Sequence, residues 1–134
     1  MPRTSRTLPT ALGLAATIAL TAPASAHIAD GWPMVAAAGD AAAGCALTVT
    51  GNGQAYRIAA TGFRPASTGH LFLANADMRP LDRPLRLDGA GDWSDYYLPF
   101  LWHRDGGVVT VSVTAPGCSL TVDFPWKRAG PVTR

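Results

Sequence analysis

The chain contains no glutamate and a single lysine, Lys127, so its nine acidic side chains are all aspartates. Surface helices draw heavily on Glu and Lys, and a sequence so poor in both has little material for amphipathic helices. Only two cysteines occur in 134 residues, Cys45 and Cys118. They are too far apart for a CxxC redox centre, and neither has a histidine close by at zinc-ligand spacing. No serine sits in a GxSxG elbow, and no glycine-rich loop precedes a helical pattern to cradle phosphate. Asp92 and Asp95 carry no neighbour that would raise the pKa of one above the other, as an acid/base pair needs. Nothing here marks an enzyme, and no catalytic residue or cofactor is assigned. Apolar runs are short as well. The longest, residues 8–20, is interrupted by Pro9, Thr10 and Thr17 and falls below the roughly 20 residues of a membrane span.

What the N-terminus does hold is an export signal. Arg3 and Arg6 form a short positive region, the 8–20 stretch is its apolar core, and Ala24-Ser25-Ala26 offers the small-x-small site of signal peptidase. There is no adjacent arginine pair for the twin-arginine route and no cysteine after the cut to carry lipid. Residues 1–26 are therefore read as a signal peptide cleaved between Ala26 and His27, and the expected location is the periplasm or the extracellular space. Removing Arg3 and Arg6 lowers the basic count from 11 to nine, which balances the nine aspartates. A neutral domain has no overall electrostatic footprint for nucleic acid, and none for an anionic membrane either. With 48% hydrophobic residues and little net charge the chain has the composition of a folded domain, and its length allows one.

Export also places the two cysteines where disulfides persist. One intramolecular pairing exists for two cysteines, and closing its loop of about 74 residues stabilises a fold by roughly 4 kcal/mol on the chain-entropy estimate. Gly or Pro occupies 21 of the 108 positions from 27 onward. Between these punctuation points the pattern is alternation, the mark of strands. Seven short strands are predicted at 45–49, 56–60, 70–74, 85–87, 93–98, 109–113 and 118–124, the last stopped by Pro125. Asn52 with its flanking glycines, Gly62-Phe63-Arg64-Pro65 and Asp88-Gly89-Ala90-Gly91-Asp92 supply turns. Strands at this spacing predict an all-β sandwich over 45–126. Its first and last strands are expected side by side and parallel, which brings Cys45 and Cys118 within bridging reach. Residues 27–44, rich in Ala and Gly, are expected to form a flexible arm, and 127–134 a tail.

The stretch Ala60-Thr61-Gly62-Phe63-Arg64-Pro65-Ala66-Ser67-Thr68, an apolar strand, and then Asp88-Gly89-Ala90-Gly91-Asp92-Trp93 resembles small bacterial immunoglobulin-like and fibronectin-type-III-like modules. The likeness covers about 75 residues and implies an immunoglobulin-like sandwich; its motifs are turn chemistry and say little of function.

Two features carry candidate chemistry. Cleavage after Ala26 would leave His27 as the N-terminus, offering its α-amine and imidazole Nδ1 to one Cu(II). The arrangement resembles the histidine brace of lytic polysaccharide monooxygenases and the copper site of CopC-like carriers. That resemblance implies a second histidine and a nearby aspartate, for which His103 with Asp105, or His70, are the candidates. This chain departs from the carriers in having His103-Arg104-Asp105 before the penultimate strand rather than Asp-x-His before the last. The second feature is aromatic density. Trp93, Tyr96, Tyr97, Phe100 and Trp102 fall within ten residues, too many for one buried face, so Tyr96, Tyr97 and Trp102 are expected to form a contact surface for a glycan or another envelope protein. Asp88 and Asp92 together offer too few ligands for calcium. The reading is an exported non-catalytic binding or accessory module, with a copper-binding periplasmic protein as the alternative.

Overall fold

A computed structural model describes residues 31–128. Within them the chain forms eight strands and no helix: β1 (Met34–Asp40), β2 (Cys45–Gly51), β3 (Tyr56–Thr61), β4 (Thr68–Asn75), β5 (Leu81–Arg86), β6 (Trp93–Tyr97), β7 (Gly106–Ala115) and β8 (Cys118–Lys127). They assemble into two antiparallel sheets, one in the order β1-β2-β3-β6 and the other β5-β4-β7-β8. Alternation decides which side chains meet between them, because successive residues of a strand point to opposite faces. In β8, Cys118, Leu120, Val122, Phe124 and Trp126 point inward, and the residues between them are exposed. Val109, Val111 and Val113 of β7 face Leu47, Val49 and Ile58 of the other sheet within one buried core. Each such side chain contributes roughly 1.5–3 kcal/mol by leaving water.

All seven sequence-predicted strands form. Three expectations change. First, residues 34–40, placed in the flexible arm, form the edge strand β1, which pairs along β2 from Met34↔Thr50 to Asp40↔Cys45. Its run of alanines has no alternation to reveal it, because the backbone ladder does most of the holding. Only Val35, Ala36 and Ala38 add packing against the core. Second, β2 and β8 are not ladder neighbours but lie in different sheets. The Cys45–Cys118 disulfide, with a Cα separation of 6.6 Å, therefore ties one sheet to the other at a single end. Third, Pro125 does not end the last strand, which continues to Lys127. Proline lacks an N–H, and an edge strand has one row of N–H groups that needs no partner. Pro125 on β8 and Pro84 on β5 both use that freedom, since these are the two edges of their sheet. The sandwich thus spans Met34 to Lys127, wider than the 45–126 expected.

At the disulfide end, the two turns that carried the immunoglobulin-like resemblance pack on each other. The Phe63 N–H donates to the Gly91 carbonyl at 3.0 Å, Ala66 N–H to the Asp88 carbonyl at 2.7 Å and Leu87 N–H to the Ser67 carbonyl at 2.9 Å. Gly91 has φ +79°, and a Cβ there would lie 2.0 Å from the Phe63 carbonyl oxygen, so only glycine fits. Asp88 Oδ1 accepts from the N–H groups of Ala90 and Asp92, and Asp92 Oδ1 accepts from Gly62 N–H. Both carboxylates build the turn, in keeping with the turn role read for them.

Candidate functional site

The opposite end is built from the β2–β3 turn, the β4–β5 turn, the β6–β7 connection at 98–105, and Arg128 after β8. Its centre is a side chain the sequence pattern did not single out. Asn75, the last residue of β4, is 1% exposed. Its Oδ1 accepts from Trp126 Nε1–H at 3.0 Å, and its Nδ2 donates to the Pro99 carbonyl at 2.7 Å and to the Tyr97 hydroxyl at 3.2 Å. A buried amide with its polar atoms partnered fixes what it touches. Here it binds β4, β6, β8 and the start of the 98–105 connection into one unit. Phe100 stands edge-on to Trp126 with ring centroids 5.8 Å apart. The Arg128 guanidinium donates to the Leu101 carbonyl, and Arg128 N–H donates to the Asp105 carbonyl at 2.7 Å.

With its backbone held so, the connection alternates like a strand without being one. Pro99 and Leu101 are buried, while Leu98 is 65%, Phe100 36% and Trp102 95% exposed. Leu98, Phe100 and Trp102 line an open depression of about 700 Å³ with Gln54 and Arg128. Beside it Asp105 lines a second depression of about 600 Å³ with Gly53, Tyr56, Gly106, Pro125, Trp126 and Lys127. Tyr56 is buried against Phe124, and that burial pushes its phenol above the ordinary value. Of the expected contact surface, Tyr96 and Trp102 are exposed. Trp32 stands edge-on to Tyr96 at 5.8 Å. Tyr97 is half-buried, its hydroxyl turned to Asn75, and packs against the core.

The histidines separate. His70 is on the outer face of β4, its Nδ1 2.8 Å from Asp82 Oδ1. It is level with Thr114 of β7, whereas His103 precedes Gly106 at the other end of that strand. The eight residue steps from Gly106 to Thr114 span about 27 Å at strand rise, so His70 and His103 serve different regions. His103 Nε2 lies 3.7 Å from Asp77 Oδ2, and Arg104 Nε 3.3 Å from Asp77 Oδ1. A backbone hydrogen bond first, then the Arg104 charge and more weakly His103, hold the Asp77 carboxyl below its ordinary range. His27 lies outside the described residues. Among the described residues no three His, Cys, Asp or Glu side chains form a group fit to hold a metal ion. The donors described do not make a copper site by themselves. Nor is any helix among them long and apolar enough to cross a membrane. No family model, curated protein or solved structure matches the chain.

Proposed function

We propose that this protein is an exported, non-catalytic binding or accessory module of the cell envelope, built on an immunoglobulin-like sandwich. With β1 set aside, the chain crosses between sheets after β3, β5 and β6, the Greek-key habit of that architecture. Its fourth strand, β5, stays beside the third instead of joining the first sheet as in the constant-type order. The observation that carries the functional reading is the 98–102 segment. Its backbone is tied down by Asn75 and Arg128, while Leu98, Phe100 and Trp102 are turned toward solvent. Apolar side chains held outward on a rigid frame serve contact, since a mobile loop would fold them back onto the protein.

A photo-reactive amino acid placed at position 102, and at position 119 as a control, tests this in cells exporting the protein. Ser119 is an exposed residue of β8 next to the disulfide. Adducts at 102 well in excess of those at 119 are expected. Equal yields at the two positions overturn the reading. Mass spectrometry of the recovered protein should find an N-terminus at His27.

A further inference from the structure

Among the described residues nine large apolar side chains are exposed, and their distribution is lopsided. Met78, Leu98, Phe100 and Trp102 lie in the loops of the Asn75 end. Met34, Leu81, Tyr96 and Val108 lie within three residues of the strand termini that open onto it. Phe72, on the outer face of β4, is the exception. Charge is lopsided as well. The loops of this end and their bounding strand residues hold Arg79, Arg104, Lys127 and Arg128 against Asp77 and Asp105, a net of +2. The disulfide end, counted the same way, holds Arg64 and Arg86 against Asp40, Asp88 and Asp92, a net of −1. The neutral total, from which no footprint for an anionic membrane was expected, thus conceals a domain polarised along its length, with its positive end at Asn75.

We infer that the Asn75 end docks on an anionic lipid surface, with Trp102 and Leu98 entering the headgroup region. This rests on the binding-module reading above and names its partner. A small molecule is bound in a concave, enclosing pocket, whereas here Trp102 projects from the tip of a connection with almost its whole surface in water. A projecting apolar side chain needs a phase that deforms around it. Tryptophan suits the membrane interface because an apolar ring body carries one polar N–H. Arg79, Arg104, Lys127 and Arg128 belong to the same loops and strand ends, with Arg104 shared with Asp77, and basic residues near an anionic leaflet add attraction within a Debye length. Apolar insertion with basic surroundings is the combination that holds proteins at such surfaces. The frame suits the task, because Asn75 and Arg128 keep the tip extended before contact and little ordering remains for binding to impose.

The test is co-flotation with vesicles of phosphatidylcholine alone and of phosphatidylcholine with phosphatidylglycerol. It uses protein recovered from exporting cells, its N-terminus read by mass spectrometry. A double variant Leu98→Ala/Trp102→Ala and a control Phe72→Ala carry the same N-terminal sequence, so any contribution from the leader is common to all. Circular dichroism melting checks that each is folded. The parent should float with the anionic vesicles, more weakly with the neutral ones, and be released by high salt. The double variant should partition at least about tenfold less, as expected when two large apolar side chains stay in water, and Phe72→Ala should match the parent. Trp102→Ala alone should abolish the blue shift in tryptophan emission that anionic vesicles induce. A folded double variant that floats like the parent, or a parent that floats with neither vesicle, overturns the inference. In the second case, strong crosslinking at position 102 would leave the module reading standing with a protein or glycan partner. Absence of both would remove the two together.

Discussion

Replacing Asn75 with alanine tests the physical basis of the exposed loop directly. The side chain is 1% exposed and makes three hydrogen bonds. Its removal leaves the Trp126 N–H and the Pro99 carbonyl without partners in a buried setting, at about 1–3 kcal/mol each. The vacated volume adds about 1 kcal/mol. The Tyr97 hydroxyl, half-buried, can turn to water and adds little. A loss of about 3–7 kcal/mol follows, large for one residue. It should appear as a lower urea midpoint with an unchanged slope. Because Pro99 begins the 98–105 connection, amide exchange in that connection should quicken more than in β7 or β8. Asn75→Asp sharpens the test. A carboxylate can still accept from Trp126 but sets an oxygen against the Pro99 carbonyl, and burial raises its pKa. Only the protonated form can donate to that carbonyl. The aspartate variant should therefore be closest to the parent at low pH and lose stability as pH rises through the raised pKa. An alanine variant losing less than about 1 kcal/mol, with loop exchange unchanged, would refute the account of Asn75 as the anchor.

Reducing the disulfide, or replacing both Cys45 and Cys118 with alanine, should lower stability by roughly 4 kcal/mol, since 73 residues of sequence separate the ends it joins; calorimetric melting with and without reductant measures it. Gly91→Ala should lower stability by about 3 kcal/mol or more in urea unfolding, given its left-handed φ and the Phe63 carbonyl 2.0 Å from the new Cβ. Gly89→Ala, with nothing within 4 Å, should be nearly neutral. The raised pKa of Tyr56 gives an alkaline signature. The unfolded chain loses this proton first, so the stability the neutral phenol contributes is present below its ordinary value of 10.0 and falls as pH rises above it. Tyr56→Phe should flatten that alkaline decline in melts between pH 9 and 11.

The core was legible because a strand with one wet face writes its geometry into every second residue. In 118–124 and 109–113 the inward residues are all apolar or cysteine, and each of them is buried. β1 was illegible for the converse reason. An edge strand of small residues shows the ladder's hydrogen bonds but no period, and Ala36-Ala37-Ala38-Gly39 reads equally well as a linker. Pairing between sheets was hidden too. The parity of Cys45 and Cys118 was right for a bridge, but parity does not tell a neighbour in the ladder from a partner across the core.

The site was half legible, and the missing half is Asn75. Aromatic crowding in 93–102 showed that some rings had to remain outside, and Trp102 and Tyr96 do. What crowding could not decide was that Tyr97 would turn its hydroxyl inward or that Leu98 would turn out. Those orientations depend on one amide at the end of β4 reaching three places distant in sequence. The only hint was a polar residue at position 75, two residues beyond Leu73 and on the inward parity of its strand. A buried polar group in such a place commits its neighbours, because each partner it loses costs more than an ordinary contact returns. That commitment explains how a connection can bury Pro99 and Leu101 while leaving Leu98 and Trp102 in water. Its inner residues are fastened through backbone carbonyls, so its outer side chains are not needed for folding and are left free for contact.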